Sequence, residues 1–246
     1  MFFPNLFTAA TVLLAGFASA VPLNSNGHDL DLVGRDSLSK RANPAGPLLR
    51  VADGGGGYMR ATRLQDGSIL GAYAWGGGDA HILRTVRSTD NGATWETRGV
   101  ITAGNSDQHD IDNVNVVQLP NGTILAAFRN HDKPGGNYSY YRITVCQSTD
   151  GGWTWTYLSQ VDERARGNNN GLWEPFLRVA RNGNVQCYYS SETQNFANGA
   201  DQDNIMRVST DNGRTWGNWI GVSGQGMTSR DGMVGVAELD GKGSLM

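Results

Sequence analysis

Three stretches of the chain repeat one alternation. QDGSILGAY (Gln65–Tyr73), PNGTILAAF (Pro120–Phe128) and RNGNVQCYY (Arg181–Tyr189) each set a polar turn pair ahead of a run of apolar and aromatic positions. Asp-Gly or Asn-Gly beside such a run is a strong hairpin signal, because both central residues of a tight turn must tolerate positive φ. A fourth copy begins at Leu239 as LDGKGSLM, and the sequence stops inside it.

An octapeptide interleaves with these runs. It reads STDNGATW at Ser88–Trp95, STDGGWTW at Ser148–Trp155 and STDNGRTW at Ser209–Trp216, with starts 60 and 61 residues apart. A near-constant period marks a repeat architecture. Each unit then holds a strand, a tight turn, two further strands, the octapeptide turn and a fourth strand. Four strands per repeat with glycine and aromatic punctuation predicts an all-β fold, a β-propeller of four-stranded blades. The octapeptide residues have structural work to do. Asp90, Asp150 and Asp211 accept backbone N–H bonds in an Asx-type turn, Gly92, Gly152 and Gly213 supply positive φ, and Trp95, Trp155 and Trp216 pack between sheets. Threefold repetition assigns them to the scaffold.

The first 41 residues read differently. An apolar run from Leu6 to Phe17 ends in Ala18-Ser19-Ala20, the pattern of a signal peptide over residues 1–20. The run is short for a membrane span, which needs roughly 20 apolar residues. Residues 21–41 are polar and close on the dibasic pair Lys40-Arg41, so they read as a propeptide and the protein as secreted, with no membrane anchor. Residues 42–246 hold three units and part of a fourth, about three and a half blades. Propellers usually close with about four to eight blades, so this sequence is expected to be the first part of a longer propeller. The competing arrangement is a four-bladed ring closed by a strand at residues 50–52.

Charge narrows the class. The net charge is −3, from 20 basic and 23 acidic residues, and no basic stripe points to nucleic acid. The 34 glycines and 39% hydrophobic content suit a turn-rich β protein. Cys146 and Cys187 fall on strands that need not be neighbours, so free buried thiols are expected. Asn121 and Asn137 head N-glycosylation sequons. No metal cluster or cofactor motif is visible, and a monomer is expected.

Blade topology filters the candidates. The first strand of a blade starts at one face and reaches its tight turn at the other, and the second strand returns. Starts of first strands and ends of second strands therefore share a face. That face should carry Tyr58, Arg60 and Trp75 from blade one. Blade two adds His109, Asp110, Asp112, Asn113, Asn115, Arg129, Asn130, His131 and Asp132. Trp173, Glu174, Ser191 and Glu192 come from blade three, and Arg230 and Asp231 from blade four. Glu174 lies where a polar loop enters an inner strand, between Trp173 and Pro175. Partial desolvation there would suit a general acid, and the competing reading is a surface glutamate paired with Arg178.

The repeats also carry a resemblance. S-x-D-x-G-x-T-W is the Asp-box of sialidase-like propellers. NNNGLWEPFL (168–177), YYSSE (188–192), DQDNIMRVSTDNGRTW (201–216) and SRDGMVGVAEL (229–239) resemble fungal exo-α-1,5-L-arabinanases of glycoside hydrolase family 93. The resemblance covers nearly all of residues 48–246. It implies six blades when complete, a retaining mechanism and release of arabinobiose from linear arabinan, the side chains of pectin. It implies one glutamate as acid/base, carried by Glu174, and a second as nucleophile with the carboxyls about 5–5.5 Å apart. Glu238, in VGVAEL, falls two residues before Asp240 at the turn face, and Glu192 stands at a strand return. Glu192 and Glu238 stay open as the second carboxylate, and the favoured place for the nucleophile is the second strand of blade four, which should return to the functional face beyond Met246. Tyr58, Arg60, Trp75, His109, Asp112, Asn113, Arg129, His131, Trp173 and Asp231 are the expected substrate contacts. Two alternatives stay open. A sialidase would use Arg60 and Arg129 on a sugar carboxylate, though MRAT (59–62) departs from the usual R-I-P start. A non-catalytic glycan-binding Asp-box propeller would keep Tyr58, Trp75 and Trp173 as stacking platforms.

Overall fold

The computed structural model describes residues 50–52, 54–168, 170–192, 201–239 and 244–246. The expected signal peptide, the propeptide and the Asp240-Gly241 pair lie outside the described residues. Among the described residues, apart from one 3₁₀ turn at Pro134–Gly136, the regular structure is all strand. Three antiparallel four-stranded sheets follow one another along the chain. The first holds β1 (Gly56–Arg63), β2 (Ile69–Gly77), β3 (Ala80–Ser88) and β4 (Glu96–Asn105). The second holds β5 (His109–Gln118), β6 (Ile124–Asp132), β7 (Tyr140–Ser148) and β8 (Thr156–Ala165). The third holds β9 (Leu172–Val179), β10 (Val185–Glu192), β11 (Gln202–Ser209) and β12 (Ile220–Ser223). These are propeller blades, each pairing its strands in sequence order, with β1, β5 and β9 packed side by side as the innermost strands. Residues 50–52 form no strand, so no extra strand closes the first blade there.

The turn chemistry is the one the sequence predicts. Asp66, Asn121 and Asn182 accept the N–H two residues on at 3.0, 3.0 and 3.1 Å. The glycines that follow have φ of 84, 87 and 84°. The hairpins close through Leu64 N–H to Ser68 O, Leu119 N–H to Thr123 O and Ala180 N–H to Asn184 O, each 2.8 Å. A fourth closure, Leu239 N–H to Ser244 O at 2.9 Å, spans one residue more and opens a fourth unit.

Each Asp-box is a closed hydrogen-bond circuit. In the first, Asp90 accepts the Thr94 N–H at 2.8 Å and the Thr94 hydroxyl at 2.6 Å, while Ser88 Oγ accepts the Gly92 N–H at 2.8 Å. Asp150 and Asp211 repeat the pattern with Thr154 and Thr215. The Thr94 hydroxyl and amide hold the Asp90 carboxyl down at about 2, and Thr215 does the same for Asp211.

The later boxes also latch onto the preceding blade. Thr85 donates to Gly152 O at 3.1 Å, and Ser159 donates to Gly213 O at 2.5 Å. The approach is close. A Cβ on Gly99 would lie 2.4 Å from Trp153 O and 2.5 Å from Gly152 O, so only glycine fits. Behind the latches lie the two apolar cores, one per seam. Leu70, Leu83, Ile111, Val116 and Phe128 fill the seam of blades one and two. Leu125, Ile143, Leu172, Leu177 and Tyr189 fill that of blades two and three. Cys146 and Cys187 are free and buried in these cores, and burial pushes the Cys146 thiol up to about 11. Among the described residues no helix is long and apolar enough to cross a membrane.

Candidate active site

Every innermost strand breaks its ladder once. Pairing shifts between Gly57 and Arg60 on β1, between Asp112 and Asn115 on β5, and on β9 opposite the Tyr188–Ser190 step. At each break one residue takes left-handed backbone: Tyr58 at φ 53°, Asn113 at 53° and Glu174 at 56°. Each precedes by six residues the one whose N–H closes the hairpin: Leu64, Leu119 or Ala180. Met233, at φ 55°, stands six residues before Leu239 and repeats the setting in the fourth unit. A bulge re-aims the side chain it carries. Left-handed backbone costs a non-glycine residue about 1–2 kcal/mol, so the surroundings must impose it.

Glu174 is half-buried in this setting. Its Oε2 accepts the Met233 N–H at 2.8 Å. The segment bearing Met233 comes close because Gly232 has no side chain: a Cβ there would sit 3.2 Å from Oε2. Arg178 does not pair with Glu174. It donates to Gln186 Oε1 at 2.7 Å and to Glu238 Oε2 at 3.2 Å.

Two arginines frame the bulges. Arg60 Nη1 donates to Pro175 O at 3.1 Å and to Asn113 O at 3.4 Å. Burial lowers the Arg60 pKa, against the opposing pull of the nearby Glu174 and Asp112 charges. Arg129 donates to Asn113 Oδ1 at 2.7 Å, to Asp110 Oδ1 at 3.0 Å and to Asp112 Oδ2 at 3.4 Å, and lies 5.4 Å over the Trp173 ring. Burial would raise the Asp110 carboxyl, but Arg129 and the Tyr138 hydroxyl, 2.6 Å away, hold it below its ordinary value.

His131 differs from expectation. Its ring is fully buried among Trp173, Tyr138 and Tyr141, with centroids 5.2, 5.8 and 5.0 Å away. Its Nδ1 accepts the Arg142 N–H at 3.1 Å, and burial lowers its pKa to about 4. It therefore presents no face to a sugar and instead backs Trp173. His109 stands at the rim, 3.6 Å from Asp132 Oδ1, and Asp132 itself chelates Arg142 at 2.7 and 2.8 Å.

Beside the bulges a cleft of about 310 Å³ opens between blades one and two, lined by Tyr58, Trp75, His81, Ile111 and Asp112. Tyr58 is 57% exposed, and Arg84 braces one face of Trp75 at 4.2 Å. His81 is a residue the sequence reading missed. It lies opposite Gly76 on β2 and Gly104 on β4, so no neighbouring side chain crowds it across the sheet, and its Nδ1 has no partner.

The remaining candidate carboxylates are occupied. Glu192 accepts the Gly171 N–H at 3.0 Å and Arg230 at 3.3 Å. Glu238 is bound by Arg178 and Arg181 at the turn end. Asp231 accepts the Ser229 hydroxyl at 3.0 Å. The structure thus gathers Arg60, Asp112, Asn113, Arg129, Trp173 and Glu174 around the inner strands, with Tyr58 and Trp75 along the adjoining cleft. Among the described residues no group of three or more His, Cys, Asp or Glu side chains could hold a metal ion.

Solved structures share the fold. The α-L-arabinanase of Penicillium chrysogenum, complexed with arabinobiose, superposes with a TM-score of 0.60 at 26% identity, covering 76% of this chain and 55% of that one. A glycoside hydrolase family 93 α-L-arabinofuranosidase of Fusarium graminearum, also with arabinobiose, gives 0.60 at 24% identity, with 76% and 54% covered. The NanB sialidase of Streptococcus pneumoniae gives 0.51 at 10% identity, with 78% and 49% covered. The last two speak to the fold alone. The chain spans about half the length of these solved relatives. No curated protein matches it. The family model for the BNR repeat-like domain matches residues 72–229, from β2 to beyond β12. The chain belongs to the BNR repeat-like domain family.

Proposed function

We propose that the chain is the N-terminal part of a secreted exo-acting glycosidase that cleaves linear α-1,5-L-arabinan to arabinobiose, with Glu174 as acid/base. The observation that carries this is the Glu174 carboxylate, aimed from a bulge on an innermost strand and oriented by the Met233 N–H. In its protonated form Glu174 would give its proton to the leaving glycosidic oxygen and then, as carboxylate, take one from the attacking water. Trp173 supports the site, and Tyr58, Trp75 and Asp112 offer two rings and a carboxylate to the substrate's sugar rings along the cleft. A retaining step needs a second carboxylate close to the first. Glu192 and Glu238 are engaged elsewhere, so the nucleophile is proposed to follow Met246.

The substrate is proposed to be a neutral sugar because both framing arginines are committed. Arg129 is spent on three side chains and Arg60 holds two backbone carbonyls through Nη1, so no ready arginine cluster faces a sugar carboxylate, which counts against the sialidase alternative. The test is incubation of the full-length secreted protein with linear arabinan and chromatography of the products. Arabinobiose as the first product supports the reading. Binding of arabino-oligosaccharide without any cleavage would replace it with a glycan-binding propeller.

A further inference from the structure

We infer that Arg60 is a positioning residue for Glu174, a half-buried cationic brace and not a sugar ligand; this rests on the acid/base reading of Glu174. Arg60 lies two residues past the left-handed Tyr58 on β1. From there its guanidinium crosses to both other blades. One nitrogen, Nη1, donates to the carbonyl of Asn113, the bulge residue of blade two, and to that of Pro175, the neighbour of Glu174 in the bulge of blade three. Pro175 has no N–H to give the ladder, and its carbonyl is turned out of the pairing by the bulge. Arg60 satisfies it.

The same cation lies within electrostatic reach of Glu174 and Asp112. Arg60 therefore acts on Glu174 twice. Its hydrogen bond fixes the backbone next to the glutamate, and its charge attracts the carboxylate. The Met233 N–H completes the orientation from the other side at 2.8 Å. Position, more than affinity, is what such a brace supplies to a reaction.

The test uses the full-length protein with Arg60→Met and Arg60→Lys, each checked for folding by its melting transition. For the brace, Arg60→Met lowers kcat on arabinan by at least about ten-fold with KM within about two-fold. It also shifts the acid/base limb of the kcat/KM profile, and Arg60→Lys restores that limb by restoring the charge. A rise in KM at unchanged kcat would instead make Arg60 a sugar ligand and overturn the proposal. A second readout does not depend on turnover: exchange of the Met233 amide hydrogen, whose acceptor is Glu174. Arg60→Met should speed it by about ten-fold or more over wild type. Wild-type exchange in that variant overturns the brace. Absence of turnover in the unmutated protein overturns only the enzyme reading, leaving the exchange result to decide on Arg60.

Discussion

At the turn end of the blades, Asp66, Asn121 and Asn182 make the same bond in the same place, and three Asp-boxes repeat one circuit. At the other end, Tyr58, Asn113, Glu174 and Met233 share one backbone conformation and no side-chain chemistry. The turn end satisfies its polar groups locally, so each copy needs the same residues. The bulge end fixes only the backbone and leaves the side chain free to differ from blade to blade. Uniform repeats therefore mark scaffold, and a uniform backbone with unlike side chains marks the site.

The comparison can be broken most sharply by paired substitutions. Glu174→Gln should lower turnover by about 10²–10⁴-fold while leaving the melting temperature near wild type. Equal loss from a turn-end change such as Asn182→Asp would end the distinction. The next largest effect is on stability. Gly99→Ala forces a Cβ against the backbone of the second Asp-box and should destabilise by roughly 1–3 kcal/mol in denaturant titration. Gly57→Ala, where nothing lies within 4 Å, should stay within about 0.5 kcal/mol. Indifference at Gly99 would mean that the seam is not the close contact described.

Acid separates the two ends along the pH axis. His131 is held neutral, with its pKa lowered from 6.5 to about 4. Its contribution to stability is complete above the unfolded value and is lost as pH falls from 6.5 to about 4. Asp90 and Asp211 are lowered from 3.8 to about 2, so their contribution holds above 3.8 and is lost between there and about 2. Melting temperature against pH should decline in two windows, and His131→Gln should remove the upper one alone. A single decline below pH 4 in the unmutated protein would contradict the buried neutral imidazole. The smallest effect is a gain: Glu174→Gly relieves left-handed backbone and should raise stability by up to about 1 kcal/mol. A fall instead would show that the carboxylate bond to Met233 outweighs the strain.

The blades and hairpins were legible because their turns demand residues that announce themselves: Asp-Gly and Asn-Gly pairs leave few other conformations open. Glu174 was legible as a polar residue at the start of an inner strand. Its bulge was not. Tyr58, Glu174 and Met233 are poor left-handed residues, and nothing local to them encodes the conformation that tertiary contacts impose. His81 escaped notice because the glycines that open space around it come from strand pairing, five positions before it and twenty-three after. His131 was expected to contact substrate because its strand return is polar, from Arg129 to Asp132. Its enclosure depends on Tyr138, Tyr141 and Trp173, two of them beyond the turn and one on another blade.

The left-handed positions also bear on how such a protein changes over generations. One codon at Tyr58, Asn113, Glu174 or Met233 decides which functional group stands at that address, while the chain path leading there is inherited unchanged. New specificities on this scaffold are then reachable by point mutation, without insertions or altered loops. Each such step starts from a backbone that already disfavours every residue except glycine and, to a lesser degree, asparagine. Drift at these four positions should run toward those two residues wherever selection for activity is relaxed.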